Sequence, residues 1–218
     1  VSGSAVPTDD LRRVADAQAR FQSVIEPLTD RATAALSALP GWTVGHVLAH
    51  VARNADSHVR RADAAARGES VDQYPGGHHG RAGEIEGGTG RPARALVDDV
   101  ARSAERLWRT WQSLPVEAWG VTTRDVGGRE RPLRDLPARR WQELEVHLVD
   151  LGLGVTFWDW PDPFVAAWLP RLRVDAGDRL PGGSRLPPEG TLDDREELAW
   201  LYGRLRRADL PDLAHWDQ

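Results

Sequence analysis

The sequence predicts a mainly α-helical protein: a four-helix bundle with one crossover, followed by a small C-terminal domain of α+β character. Three observations carry this reading. Apolar residues recur at helical spacing in four long segments. Pro and Gly stand between those segments, giving each a readable start and stop. After Gly154 the chain turns to short, turn-rich pieces. The expected division is 1–155 for the bundle and 156–218 for a tail near the lower size limit for folding alone, expected to pack on the bundle.

The first helix is expected over 9–38, with Leu11, Val14, Ala15, Phe21, Val24, Ile25 and Leu28 on its apolar side. Thr8 and Asp9 can cap it, Pro27 kinks or splits it, and Pro40-Gly41 ends it. Thr43 can cap a second helix that runs to about Arg67, with Gly68 as its stop. Residues 69–90 are polar and Gly-rich and read as a long loop, a length often tied to function. A third helix is expected from Arg91-Pro92 to Leu114, carrying Leu96, Val97, Val100, Leu107, Trp108 and Trp111 inward. Residues 120–133 read as a hairpin turning at Gly127-Gly128. A fourth helix covers 135–151 and stops at Gly152. In the tail, helices are expected at about 163–173 and 193–207, with short strands in the Gly- and Pro-rich stretch between them.

Composition excludes several kinds of chemistry. The chain of 218 residues has no Cys, which removes disulfides, thiolate ligands and a cysteine nucleophile. Every basic side chain is Arg, so a Schiff-base lysine is excluded. The net charge is -5 and no basic block stands out, which argues against nucleic acid as the partner. No apolar run approaches a membrane span. The opening Val1-Ser2-Gly3-Ser4-Ala5-Val6-Pro7 lacks a basic region followed by an apolar stretch, so no signal peptide is expected and the cytoplasm is the default compartment. Ten Trp, against three Phe and two Tyr, can anchor a core or line a pocket.

Positive chemistry comes from three side chains. Glu143 and His147 are four apart, hence on one helix face, one turn from each other. His50 lies in a second amphipathic stretch, with His46 one turn before it and Asn54 one turn after. Two histidines and a carboxylate on facing helices form a half-open site for a divalent metal. The donor set suits zinc, with nickel, iron or cobalt as alternatives. Three protein ligands leave a position where a metal lowers the pKa of water or of a thiol brought from outside. Glu145 is two residues off this face. His78 and His79, between glycines, read as exposed or near the mouth of a cleft.

These stretches resemble a known family. Gly41-Trp42-Thr43-Val44-Gly45-His46-Val47-Leu48-Ala49-His50-Val51-Ala52-Arg53-Asn54-Ala55 is similar to the second-helix motif of mycothiol-dependent maleylpyruvate isomerases. Glu143 to Phe157, with its Glu-x-x-x-His-x-Val-Asp-Leu-Gly pattern, resembles their fourth-helix motif. Tyr74-Pro75-Gly76-Gly77, Arg81 and Glu84-Ile85-Glu86 look like the family's loop. The resemblance implies a DinB-like four-helix bundle and a zinc ion on His50, Glu143 and His147. It implies mycothiol as thiol cosubstrate, bound as a thiolate, adding to the cis double bond of maleylpyruvate to give fumarylpyruvate. Arg81 and, in the tail, Arg204 match family arginines that meet the acidic substrate. His46, Asn54 and Asp150 are expected to orient the ligands. The related bacillithiol transferases carry His where this chain has Glu143.

The partners implied are a small-molecule electrophile and a low-molecular-weight thiol, with no nucleic acid and no membrane, in a monomer or homodimer. An S-transferase acting on another electrophile shares every feature above. A hydrolase using metal-bound water on the same ligands, and a non-enzymatic helical binding module, are the other readings.

Overall fold

The structure, a computed structural model, describes residues 5–182 and 184–214. It divides into two compact units, Val1–Leu153 and Gly154–Gln218. Among the described residues there are eight α-helices and one two-stranded hairpin.

In the first unit, α1 (Thr8–Ile25) buries Val14, Ala17, Phe21 and Ile25, a stripe at three- and four-residue steps. The single helix expected over 9–38 is two helices. Glu26 keeps helical backbone, but Pro27 has no amide with which to continue the ladder, so α1 stops and a short α2 (Asp30–Ala34) restarts under a Thr29 cap. Pro7 stands at the N-cap of α1, and neither Thr8 nor Asp9 caps it. α3 (Val44–Ala65) starts at a capping box: the Thr43 hydroxyl accepts from the His46 amide, and His46 Nδ1 accepts from the Thr43 amide.

The long loop expected over 69–90 holds a ten-residue helix, α4 (Gly77–Glu86). Its only buried residue is Ile85, so it carries almost no apolar period to read. Gly76 (φ +79°) and Gly77 (φ +59°) make the left-handed turn into it. Gly80 is required by contact: a Cβ there would lie 1.8 Å from the Pro75 carbonyl oxygen.

Two further helices complete the bundle. α5 (Ala93–Ser113) begins after Pro92, and its first amide donates to Asp30 of α2 at 2.6 Å. The hairpin pairs β1 (Thr122–Arg124) with β2 (Glu130–Pro132), turning through Gly128 at φ +81°. α6 (Leu136–Asp150) carries Pro in its first turn, where no amide is lost. In the bundle α1 packs chiefly on α6 and α3 on α5, while α3–α6 and α1–α5 contacts close the ring.

In the second unit α7 (Asp162–Ala176) packs on α8 (Asp194–Leu201). Trp160, Phe164, Trp168 and Tyr202 form its aromatic core. Glu197, buried, is paired with Arg173. α8 ends at Leu201 rather than near 207, because Gly203 takes a left-handed φ of +73°. The strands expected between the tail helices do not form among the described residues. Among its described residues the tail holds helices and no strand, rather than the α+β mixture expected, and the strands described lie in the first unit.

Candidate metal centre

α3 and α6 bring His50, Glu143 and His147 together, with their ligand atoms all within 4.8 Å of one another. One oxygen, Glu143 Oε2, lies 3.0 Å from His50 Nε2 and 3.2 Å from His147 Nε2. The two imidazole rings meet edge to face at 4.6 Å. Donors bound at zinc–nitrogen distances in a tetrahedron stand roughly 3.3 Å apart. The two distances from Glu143 to the histidines need to open by only tenths of an ångström to match that spacing. Both histidine side chains are 1–2% exposed, while that of Glu143 keeps 22%, so the open side lies by the carboxylate.

Electrostatics fit the same use. Burial, the neighbouring His147 and Arg81 push His50 down to about 4, leaving it a neutral imidazole near pH 7. Burial opposes the charge of His147, but hydrogen bonds to Asp150 and Glu143 outweigh it and raise its pKa above 6.5. Burial likewise opposes the Glu143 carboxylate, and the bonds from His147 and His50 hold it well below the usual range. Asp150 Oδ2 accepts from His147 Nδ1 at 2.9 Å, which turns Nε2 toward the cluster.

The other residues singled out from the sequence divide. Asp150 lies beside His147, accepting from its Nδ1. Arg81, on α4, sits with a guanidinium nitrogen 3.4 Å from His50 Nδ1. His46 does not orient a ligand through a direct bond: its Nδ1 serves the cap of α3, and its Nε2 lies 3.5 Å from Glu86. It reaches the cluster only through Trp42, which stacks on His46 and meets His50 edge-on at 5.7 Å. Asn54 accepts from Arg140 at 3.0 Å, not from a ligand. Arg204 lies in the second unit, after α8, and donates to the Tyr202 carbonyl. His78 and His79 are exposed on α4. Glu145 is bound by Arg20 at 2.8 Å, so it is no spare base beside the ligands.

Arg61 and Arg140 were not singled out from the sequence, and His58 only as a further histidine of the second helix; all three are buried. Arg140 donates to Val51 O, Asn54 and Gln18, all neutral acceptors. Burial lowers both arginines to about 10 and His58 well below 6.5. The signal was present: Arg140, Glu143 and His147 share one face of α6, and His50, Asn54, His58 and Arg61 share one face of α3.

Fold and site together define a helical bundle carrying a His–Glu–His cluster able to hold a divalent ion. Residues 14–152 match the Mycothiol maleylpyruvate isomerase N-terminal domain family, and the chain belongs to it. The fold is that of the crystal structure of the mycothiol-dependent maleylpyruvate isomerase, with a TM-score of 0.82 at 22% identity, covering 96% of this chain and 97% of that one. A histidine-to-alanine variant of that enzyme gives a TM-score of 0.84 at 21% identity over the same shares. No curated protein matches the chain significantly. Among the described residues, no helix is long and apolar enough to cross a membrane.

Proposed function

We propose that this protein is a metal-dependent enzyme that uses mycothiol to isomerise maleylpyruvate, or a closely similar electrophile, about its cis double bond. The observation that carries this is the single Glu143 oxygen held between two histidine Nε2 atoms, with Asp150 behind one and Arg81 beside the other. His50, Glu143 and His147 would hold the metal, zinc being the best fit to two nitrogens and a carboxylate. Such an ion lowers the pKa of a thiol placed in its open position.

The chain's own residues supply the rest. Asp150 fixes the His147 proton on Nδ1. With a metal on Nε2, His50 would carry its proton on Nδ1, which would then no longer accept from Arg81. The guanidinium is thereby freed to bind a substrate carboxylate in bidentate fashion. Trp42 packs on His50 and shields it from water. The thiol adds to the cis double bond, the new single bond rotates, and elimination of the thiol leaves the trans product. The family's isomerase chemistry and the absence of any Cys in the chain support a thiol supplied from outside.

Elemental analysis of protein purified without chelator tests the metal, with His50→Ala, Glu143→Ala and His147→Ala alongside. Near one equivalent, lost in all three variants, is expected. Maleylpyruvate turnover that requires both metal and mycothiol then tests the reaction. Thiol-dependent conjugation of other electrophiles without maleylpyruvate turnover would mark an S-transferase. Metal-dependent activity with no added thiol would mark a hydrolase. A chain that takes up no zinc even when it is offered would leave a helical binding module.

A further inference from the structure

A second opening lies on the side of the bundle where α1 meets α5, a pocket of ≈ 430 Å³. None of the three metal-ligating residues lines it. Its size falls in the range of roughly 300–1,000 Å³ usual for small-molecule sites. The space exists because small residues oppose each other: Ala15 and Ala19 on α1 face Ala101 and Ala104 on α5. Trp108 and Trp111 supply flat apolar wall.

Two hydrogen-bond donors of the lining, on Trp111 and Gln18, have no acceptor. Trp111 is 2% exposed, and its indole N–H has no hydrogen-bond partner. An indole nitrogen can only donate. Gln18 accepts from Arg140 through Oε1 at 3.2 Å, which fixes the orientation of its amide. Its Nε2 is left with no partner. Arg140, fully buried behind it, has no carboxylate within ion-pair distance among the described residues. A buried cation hydrogen-bonded only to neutral groups is costly to keep, and the charges of Glu143 and Asp56 offset this one without a direct bond. Gln22, one turn along α1, has an unpartnered Oε1, and a half turn of its amide offers NH₂ instead. Glu105, also in the lining, has its charge taken by Arg109.

We infer that this pocket binds a small aromatic carboxylate. The ring lies between the tryptophans and the alanine wall. The carboxylate accepts from Gln18 Nε2 and Trp111 Nε1, with the Arg140 charge behind them. The inference does not rest on the proposed reaction.

Calorimetric titration of the full chain with 2-naphthoate tests it, with 2-naphthylmethanol as the neutral counterpart. Ala104→Leu fills the pocket, and Gln18→Leu removes one donor while keeping similar bulk. The acid is expected to bind the native chain at least about ten times more tightly than the alcohol, since hydrogen bonds to a charged group contribute about 1.5–3 kcal/mol. Ala104→Leu should abolish binding, and Gln18→Leu should weaken it about tenfold. Binding retained in His50→Ala, which lacks a metal ligand, would support the pocket even if the proposed reaction fails. Equal binding of acid and alcohol, unchanged binding in Ala104→Leu, or loss of binding in His50→Ala would each overturn it. The acid–alcohol comparison on the native chain stands even where a variant does not fold.

Discussion

Asp150 shows how much one carboxylate can do from behind the candidate ligands. It holds the His147 proton on Nδ1 at 2.9 Å, and both residues are about 1% exposed. Asp150→Ala is expected to weaken zinc affinity about 10–100-fold, read by competition with a chromogenic chelator. Unchanged affinity would mean that the ring is held by packing alone. Acid stability is the second prediction at this scale. His50 in the folded, metal-free protein takes up a proton near 4, against 6.5 when unfolded. Between those values the unfolded chain binds more protons, so stability falls as pH falls, by about 3 kcal/mol across the window. His58 acts in the same direction. His147, with its raised pKa, acts oppositely: its contribution is full below 6.5 and is lost as pH rises through the folded value. Urea midpoints of metal-stripped protein from pH 7 to 4.5 check this, and a flat profile would rule out a buried neutral His50.

At the level of elements, α4 is the piece that local sequence signals hid. It is Gly-rich and buries only Ile85, yet it delivers Arg81 to His50. Its start depends on Gly80 lying against the Pro75 carbonyl. Gly80→Ala must displace that turn, so activity is expected to drop at least about tenfold while zinc content stays near native, since the ligands lie on α3 and α6. Equal loss of zinc and activity would show that α4 supports the ligands rather than the substrate side. Along α1 the argument concerns packing. Phe21 is fully buried, so Phe21→Ala should cost about 3–5 kcal/mol in chemical denaturation. A loss below about 1 kcal/mol would mean that α1 contributes little to the core.

For the whole molecule, the His50–Glu143–His147 cluster joins helices distant in sequence. His50 and Glu143 are 93 residues apart and meet where α3 packs on α6. A metal bound only by the folded chain stabilises it by about 4 kcal/mol at free concentrations about 1,000 times Kd. Stripping zinc with a chelator should therefore lower the thermal midpoint by several degrees, and returning zinc should restore it. The same treatment of His50→Ala should change nothing. A shift that survives in His50→Ala would place the stabilising ion elsewhere.

The extent of α3, α5 and α6 was legible because it rests on local physics: periodic apolar residues, Thr43 at a cap and Gly68 at a stop. The pairing of Glu143 with His147 was legible for the same reason, being one turn of one helix. His50 as their partner was proposed from its own amphipathic stretch, and only the packing of α3 on α6 set the 3.0 Å contact. The helicity of 77–86 was hidden, because the segment buries only Ile85 and rests on α3 rather than on an apolar period of its own. His46 misled because a helix-spaced histidine reads the same whether it caps or coordinates. Arg140 lay on a face already known to be important, but its buried place behind Gln18 depends on three helices meeting. Local spacing determined which side chains could act together; tertiary packing decided which of them do, because distance, burial and the loss of water arise only when separate helices close on one another.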